Sequence, residues 1–362
     1  MKFAFFGSSL VSAYWNGAAT YYRGIIRAMS ENGHQVTFYE PDAYDRQKNR
    51  DIPDPDWATI KVYEPTEEAV YKALEDALHA DVIVKTSGVG VFDELLEKEV
   101  LNLQLKGKFV IFWDVDAPAT LDRVKYNDED YFKTLIPRYD LVLTYGGGDP
   151  VVNTYRSFGA KNCFPIYNAL DPTTHHPVPK EERFACDLAF LGNRLPDREK
   201  RVEEFFLNVA AAMPAQRFIL GGNGWHDKAM SPNINYLGHV FTKDHNALNC
   251  SPKAVLNISR ESMASYGFSP ATRVFEAAGA GACLITDYWL GIDVFFEPGE
   301  EILVAESGEA VKEILITLTE ERARQVGQAA LKKVLAKHTY AHRATELDKI
   351  LKRELAQEKL VL

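Results

Sequence analysis

The sequence predicts an α/β protein built as two doubly wound parallel-sheet domains, and three observations predict it. Short β-rich runs alternate with stretches long enough for helices. The alternation breaks at a proline-punctuated segment and then begins again. The chain has 362 residues, 46% of them hydrophobic, enough to fill more than one core.

Phe3 to Phe6 reads as a buried strand ending in the turn Gly7-Ser8-Ser9. Ala18, Tyr22, Ile25, Ile26 and Met29 then recur at helical spacing until Gly33 stops the helix, and Gln35 to Glu40 resume as a strand. Val82 to Lys85, Phe109 to Trp113 and Leu141 to Tyr145 continue the series. Around Tyr167 to Pro179 the chain carries Pro172, Pro177 and Pro179 and suits neither regular element, which puts a linker at 169–182. The expected domains are therefore 1–168 and 183–338, with a terminal helix at 339–362 packing back toward the first. In the second domain the expected strands are Cys186 to Leu191, Phe218 to Leu220, Ala254 to Ile258 and Cys283 to Thr286, with helices over Arg198 to Ala212 and Pro270 to Gly279.

A formal net charge of −10 argues against a nucleic-acid or anionic-lipid footprint, which needs clustered Lys and Arg. Cys163, Cys186, Cys250 and Cys283 form no CxxC pair and read as buried thiols. The amino terminus shows neither a long apolar stretch nor a small-residue cleavage site, so a cytoplasmic protein without stable membrane insertion is expected. Neither Gly7-Ser8-Ser9 nor Gly146-Gly147-Gly148-Asp149 has GxGxxG spacing, which disfavours a dehydrogenase. A Walker loop, HExxH and GxSxG are absent, and His175-His176 lack a third ligand at usual spacing, so no metal site is expected.

In open parallel sheets ligands gather where loops leave the carboxyl ends of the strands. The richest such segment runs from Ser265 through Gly267, Phe268, Ser269 and Pro270 to Gly281. Ser269 is a good N-cap and Pro270 suits the first helical position, so a helix start is expected there, with free N–H groups and a positive dipole end for phosphate. Arg273 adds a cationic fork, and Glu276 on the same face can accept from two ribose hydroxyls. Read blandly, the two form a surface ion pair on a capped helix. Gly192, Asn193 and Arg198 after the first strand of this domain, and Gly221 to Trp225 with Asn223 and Gly224 after the next, offer backbone amides and a guanidinium for phosphate. Alone, Arg198 reads as a solvated helix residue. In the first domain Asp114-Val115-Asp116 has DxD spacing at a strand exit; a metal role is rejected, and either carboxylate is a candidate general base. Tyr14, Trp15 and Asn16 follow the first strand, where aromatic faces and an amide suit a sugar acceptor or ordinary loop packing.

The Ser265 to Gly281 segment, with Cys283 to Asp287, Phe295 to Leu303, Cys186 to Asn193 and His338 to Arg343, resembles the carboxy-terminal domain of CgeB-type glycosyltransferases, which are GT-B enzymes. The amino-terminal half resembles them more loosely, through the Gly7 turn, Trp113 to Pro118 and Ala169 to Pro172. The resemblance implies two Rossmann-like domains facing across a cleft. It implies a nucleotide-diphosphate sugar (UDP, dTDP or GDP) as donor on the second domain, and an acceptor of unknown kind, metabolite, glycan or protein, entering from the first. Gly238 to Val240, including His239 and Val240, would meet the nucleobase through backbone groups. Retaining GT-B families commonly carry a Glu eight positions before the ribose-binding one; here that position is Phe268, so inversion or retention stays open. A GT-B sugar-nucleotide epimerase and a non-catalytic assembly protein of the same fold are the alternatives.

Overall fold

The computed structural model describes the backbone of residues 1–14 and 16–361. It divides into two compact units, Met1–Asn168 with Tyr340–Leu362, and Ala169–Thr339.

The first unit carries seven strands, β1 (Lys2–Phe6), β2 (Gln35–Pro41), β3 (Thr59–Tyr63), β4 (Val82–Thr86), β5 (Phe109–Asp114), β6 (Leu141–Thr144) and β7 (Cys163–Pro165). They pair in the order β3-β2-β1-β4-β5-β6-β7, every pair parallel, with Phe3 opposite both Val36 and Val82. The second unit repeats the plan with β8 (Leu188–Leu191), β9 (Phe218–Gly221), β10 (Ile234–Gly238), β11 (Ala254–Asn257), β12 (Leu284–Asp287) and β13 (Leu303–Ala305), in the order β10-β9-β8-β11-β12-β13, again all parallel.

Sequence order explains the plan. Central strands such as Val82–Thr86 and Leu284–Asp287 are buried at every residue, which requires helices on both faces and so right-handed crossovers between parallel neighbours. The direction of winding reverses between β1 and β4 in one sheet and between β8 and β11 in the other, and the loops leaving those strands flank the usual ligand crevice.

Four strands escape the sequence reading: β3, β7, β10 and β13, the two edges of each sheet. The helix expected from Ser269-Pro270 begins later, at Thr272, and runs to Gly279. The stretch expected as one helix over Arg198 to Ala212 runs as Glu199–Val202, a π-turn over Glu203–Leu207, and Asn208–Ala212. Helix Tyr340–Val361 belongs to the first unit, where the Tyr340 ring fits against Gly24 on helix Ala19–Glu31 so closely that a Cβ there would sit 2.1 Å from it. His34 Nε2 and Asn32 Nδ2 both hold Asp348, at 2.7 and 2.9 Å. All four cysteines are free, and burial pushes the thiols of Cys163, Cys186 and Cys283 up to about 12. Among the described residues no helix is long and apolar enough to cross a membrane.

Candidate functional site

In the second unit the exits of β8 and β9 form one joined pair of loops. Gly222 has φ of +116°, and a Cβ there would lie 2.3 Å from the Gly192 carbonyl oxygen, so only glycine allows the loops to touch. The Asn223 amide donates to Asn193 Oδ1 at 2.9 Å, and Trp225 Nε1 donates to the Gly192 carbonyl at 2.8 Å. Arg198, just before helix Glu199–Val202, folds back so that its Nη2 donates to the Asn193 carbonyl. Its Nε is buried with no acceptor. Burial first, then the neighbouring Arg273 guanidinium, push Arg198 down to about 10, with Arg260 adding to the effect and Asp197 and Asp287 opposing it.

Across the switch point, helix Thr272–Gly279 starts at Ala271 in an extended conformation with no side-chain cap. Ser269 is therefore not the N-cap that the sequence suggested; its hydroxyl donates to the Gly267 carbonyl at 2.9 Å and closes the loop before the helix. That loop is tense: Phe268 has φ of +48°, and its N–H donates to the Leu290 carbonyl at 2.6 Å. Arg273 stands in the first turn. Its Nη1 is buried without an acceptor, and its Nη2 is 3.8 Å from Glu276 Oε2. The Glu276 side chain is only 13% exposed; burial pushes its carboxyl up, but His175, Arg273 and His245 together hold it below the usual carboxylate range. It is an ionised acceptor at neutral pH.

Neighbouring charges are largely paired, although Arg201 Nε is also buried without an acceptor. Asp287, at the end of β12, accepts from Arg201 Nη2 at 2.6 Å and from the Ser259 amide and hydroxyl, while Arg260 Nε donates to Asp197 at 2.7 Å. These residues were missed in the sequence, where no local pattern links Arg201 to Asp287. Val240 is buried, and His239 is exposed with its ring edge-on to Phe241.

His175 also acquires the neighbours that its sequence surroundings lack. Asn246 Nδ2 donates to the Thr174 carbonyl at 2.9 Å, pinning the 171–175 turn on helix Thr242–Cys250. Gly279 lets Leu170 and the His175 carbonyl approach helix Thr272–Gly279. Ligand atoms of His175, His245 and Glu276 consequently lie within 4.8 Å of one another. Burial, then Arg273, hold the His245 imidazole down at about 4. His245 and Glu276 stand 70 and 101 residues from His175 along the chain, so no local spacing announces this cluster.

In the first unit Asp114 is wholly buried, and both carboxylate oxygens are occupied. Oδ1 accepts from Ser87 Oγ at 2.7 Å, the Asp116 amide at 2.9 Å and Thr120 Oγ1 at 3.1 Å; Oδ2 accepts from Tyr155 Oη at 2.5 Å. Asp114 therefore ties β5 to the loop after β4 and to helix Gly148–Ser157, an arrangement that suits a structural carboxylate better than a base. Asp116 is half-buried ahead of helix Ala117–Tyr126 and makes no side-chain cap. Asn16 is likewise consumed within its loop, donating to the carbonyls of Ser9 and Ser12 at 2.8 and 3.0 Å and accepting from Ser8 Oγ at 2.9 Å, so it is a loop brace rather than a free sugar contact. Tyr14 is 43% exposed, and Trp15 lies outside the described residues.

Residues 198–349, which include Arg198, Arg273 and Glu276, match the model of a family described as glycosyl transferase-like. No curated protein matches the sequence. Among solved structures, HepE of Anabaena in complex with UDP and glucose shares 13% identity at a TM-score of 0.70, covering 98% of this chain and 100% of that one. Sucrose-phosphate synthase of Thermosynechococcus elongatus shares 13% at 0.68, covering 99% and 100%. An alpha-glucosyltransferase in complex with UDP-glucose and DNA containing an abasic site shares 13% at 0.71, covering 97% and 99%. At this identity the likeness establishes architecture, and the chain is accordingly a protein of the GT-B glycosyltransferase fold with a glycosyl transferase-like domain over residues 198–349.

Proposed function

We propose that this protein transfers a glycosyl group from a nucleotide-diphosphate sugar to an acceptor nucleophile, with the donor held by the second unit and without a metal on its diphosphate. One observation carries the donor assignment: Arg198 Nε and Arg273 Nη1 are both buried without acceptors, and the Arg273 guanidinium helps push Arg198 down. Two half-buried, mutually repelling cations with unmet N–H groups are stabilised by a dianionic ligand that fills them, and the uncapped amides at the start of helix Thr272–Gly279 add to the same field. A diphosphate supplies that charge and its acceptors. Glu276, one turn further along, is ionised and suits the ribose hydroxyls.

The likeness to structures solved with UDP or UDP-glucose supports a uridine nucleotide as the first donor to try. Although one neighbour was solved with DNA, a net charge of −10 favours an acceptor other than nucleic acid here. In this reading Asp116 takes the proton from the acceptor nucleophile.

The test is thermal stabilisation by UDP, dTDP, GDP, CDP and ADP, with and without EDTA. One nucleotide at a hundred times its Kd stabilises the native state by about 2.7 kcal/mol, equally in EDTA. No response to any of the five sinks the donor assignment.

A further inference from the structure

The cluster on which the 171–175 turn and two helices converge has no part in diphosphate binding, and its chemistry differs from that of the two arginines. Each imidazole has one nitrogen already committed. Thr174 Oγ1 donates to the Asp171 carbonyl at 3.1 Å, so toward His175 Nδ1, 3.0 Å away, it offers a lone pair. Nδ1–H therefore donates to it, and His175 Nε2 keeps the ring's lone pair. His245 Nε2 lies 3.3 Å from the Val240 carbonyl, which can only accept, so His245 Nε2 carries the proton and Nδ1 the lone pair. Both tautomers are those of a metal-ligating histidine, whose second nitrogen donates to a carbonyl or hydroxyl nearby.

The third group points the same way. His175 is 5% exposed, its Nε2 has no hydrogen-bond partner, and it faces Glu276 Oε1 at 3.9 Å, lone pair against lone pair. Such a pair repels unless it shares a cation. The Arg273 guanidinium is on the other carboxylate oxygen, 3.8 Å from Oε2, and leaves Oε1 to the histidines.

We propose that the nucleotide-free protein binds one divalent transition-metal ion, of the zinc or cobalt kind, on His175 Nε2, His245 Nδ1 and Glu276 Oε1. Two imidazoles and a carboxylate select such ions over magnesium or calcium, which take oxygen ligands. Three protein ligands leave a tetrahedral ion one open position. Bonds of about 2.0 to 2.1 Å put tetrahedral ligand atoms about 3.4 Å apart, so binding draws His175 and Glu276 together by about 0.5 Å. Where Glu276 also serves the donor ribose, the ion opposes nucleotide binding. That consequence rests on the donor reading, whereas metal binding to nucleotide-free protein does not.

The experiment titrates Co(II) into metal-stripped, nucleotide-free protein and follows the visible d–d absorption. One equivalent binds, with the intense bands of a four-coordinate N/O site, and Zn(II) displaces it. His245→Gln and His175→Asn each weaken binding on the order of 100-fold or more, beyond the loss usual for an outer partner. Thr174→Val, an exposed position safe for folding, weakens it by about tenfold through His175 alone. A wild-type protein that gives no cobalt spectrum overturns the proposal and leaves a shared proton between His175 and Glu276. Cobalt binding that survives all three substitutions unchanged overturns it equally. UDP stabilisation in EDTA reads the donor site separately, so either assignment can fail without the other.

Discussion

The exit of β5 in the first unit and the exits of β8 and β11 in the second each gather buried charge, yet they differ in how that charge is met. Asp114 has its two carboxylate oxygens filled by four donors from its own unit. Arg198 and Arg273 each keep a buried N–H that nothing within their unit accepts. Buried polar groups are nearly always satisfied, so the unmet N–H groups of Arg198 and Arg273 suit a ligand, while a full complement at Asp114 suits a structural tie. The sequence reading assigns Arg273 and Arg198 to phosphate and the DxD tripeptide to a candidate base, although Arg198 taken alone reads as a solvated helix residue.

The largest effects test the contrast inside the tripeptide itself. Asp116→Asn removes the proposed base without removing a helix cap, so turnover falls by about 10²- to 10⁴-fold while nucleotide affinity is unchanged. Asp114→Ala orphans the hydroxyls of Ser87, Thr120 and Tyr155 and the Asp116 amide, and costs about 3 kcal/mol or more in urea unfolding, with nucleotide affinity unchanged in the folded protein. If Asp114→Ala left stability intact, the satisfied cluster would not be structural and the comparison would break.

The second unit responds in the opposite sense. Arg198→Met and Arg273→Met each reduce nucleotide affinity by about 1 to 3 kcal/mol, roughly 5- to 150-fold, in calorimetric titration. Removing an unmet buried cation leaves unfolding stability level or slightly raised. Loss of stability without loss of affinity in either variant would make that arginine a packing residue like Asp114. Glu276→Gln keeps the shape and one acceptor oxygen, so the affinity loss is smaller, about tenfold.

How much was legible in the sequence follows from the same physics. Nine central strands were found because their burial on both faces writes an apolar run; the four missed strands are edges such as Thr59–Tyr63, where only Tyr63 is buried, and Ile234–Gly238, where no residue is. The proximity of Arg273 and Glu276 was legible because three residues on one helix is a local spacing. The His175–His245–Glu276 cluster was not, because it joins a linker turn to two helices, and only the fold brings them together. The helix start was misplaced by two residues because Ser269 spends its hydroxyl on Gly267, leaving Ala271 in the capping place.

The smallest expected effect concerns Phe268, eight positions before Glu276. Its φ of +48° is one that a side chain disfavours, at a cost of about 1 to 2 kcal/mol, and its ring packs on Gly291, where a Cβ would lie 2.2 Å from it. Phe268→Ala loses the ring and keeps the strain; Phe268→Gly loses the ring and relaxes the backbone. The glycine variant is therefore the more stable of the two by about 1 kcal/mol, against the usual order in which glycine is the weaker choice. Nucleotide affinity then discriminates what the strain is for. A glycine variant that is more stable yet binds more weakly than the alanine variant means that the bent loop holds the first-turn amides ready for phosphate, as the unmet arginines beside it imply. Equal affinity in the two means that the loop serves only to seat the ring, and the readiness of the site rests on Arg198 and Arg273 alone.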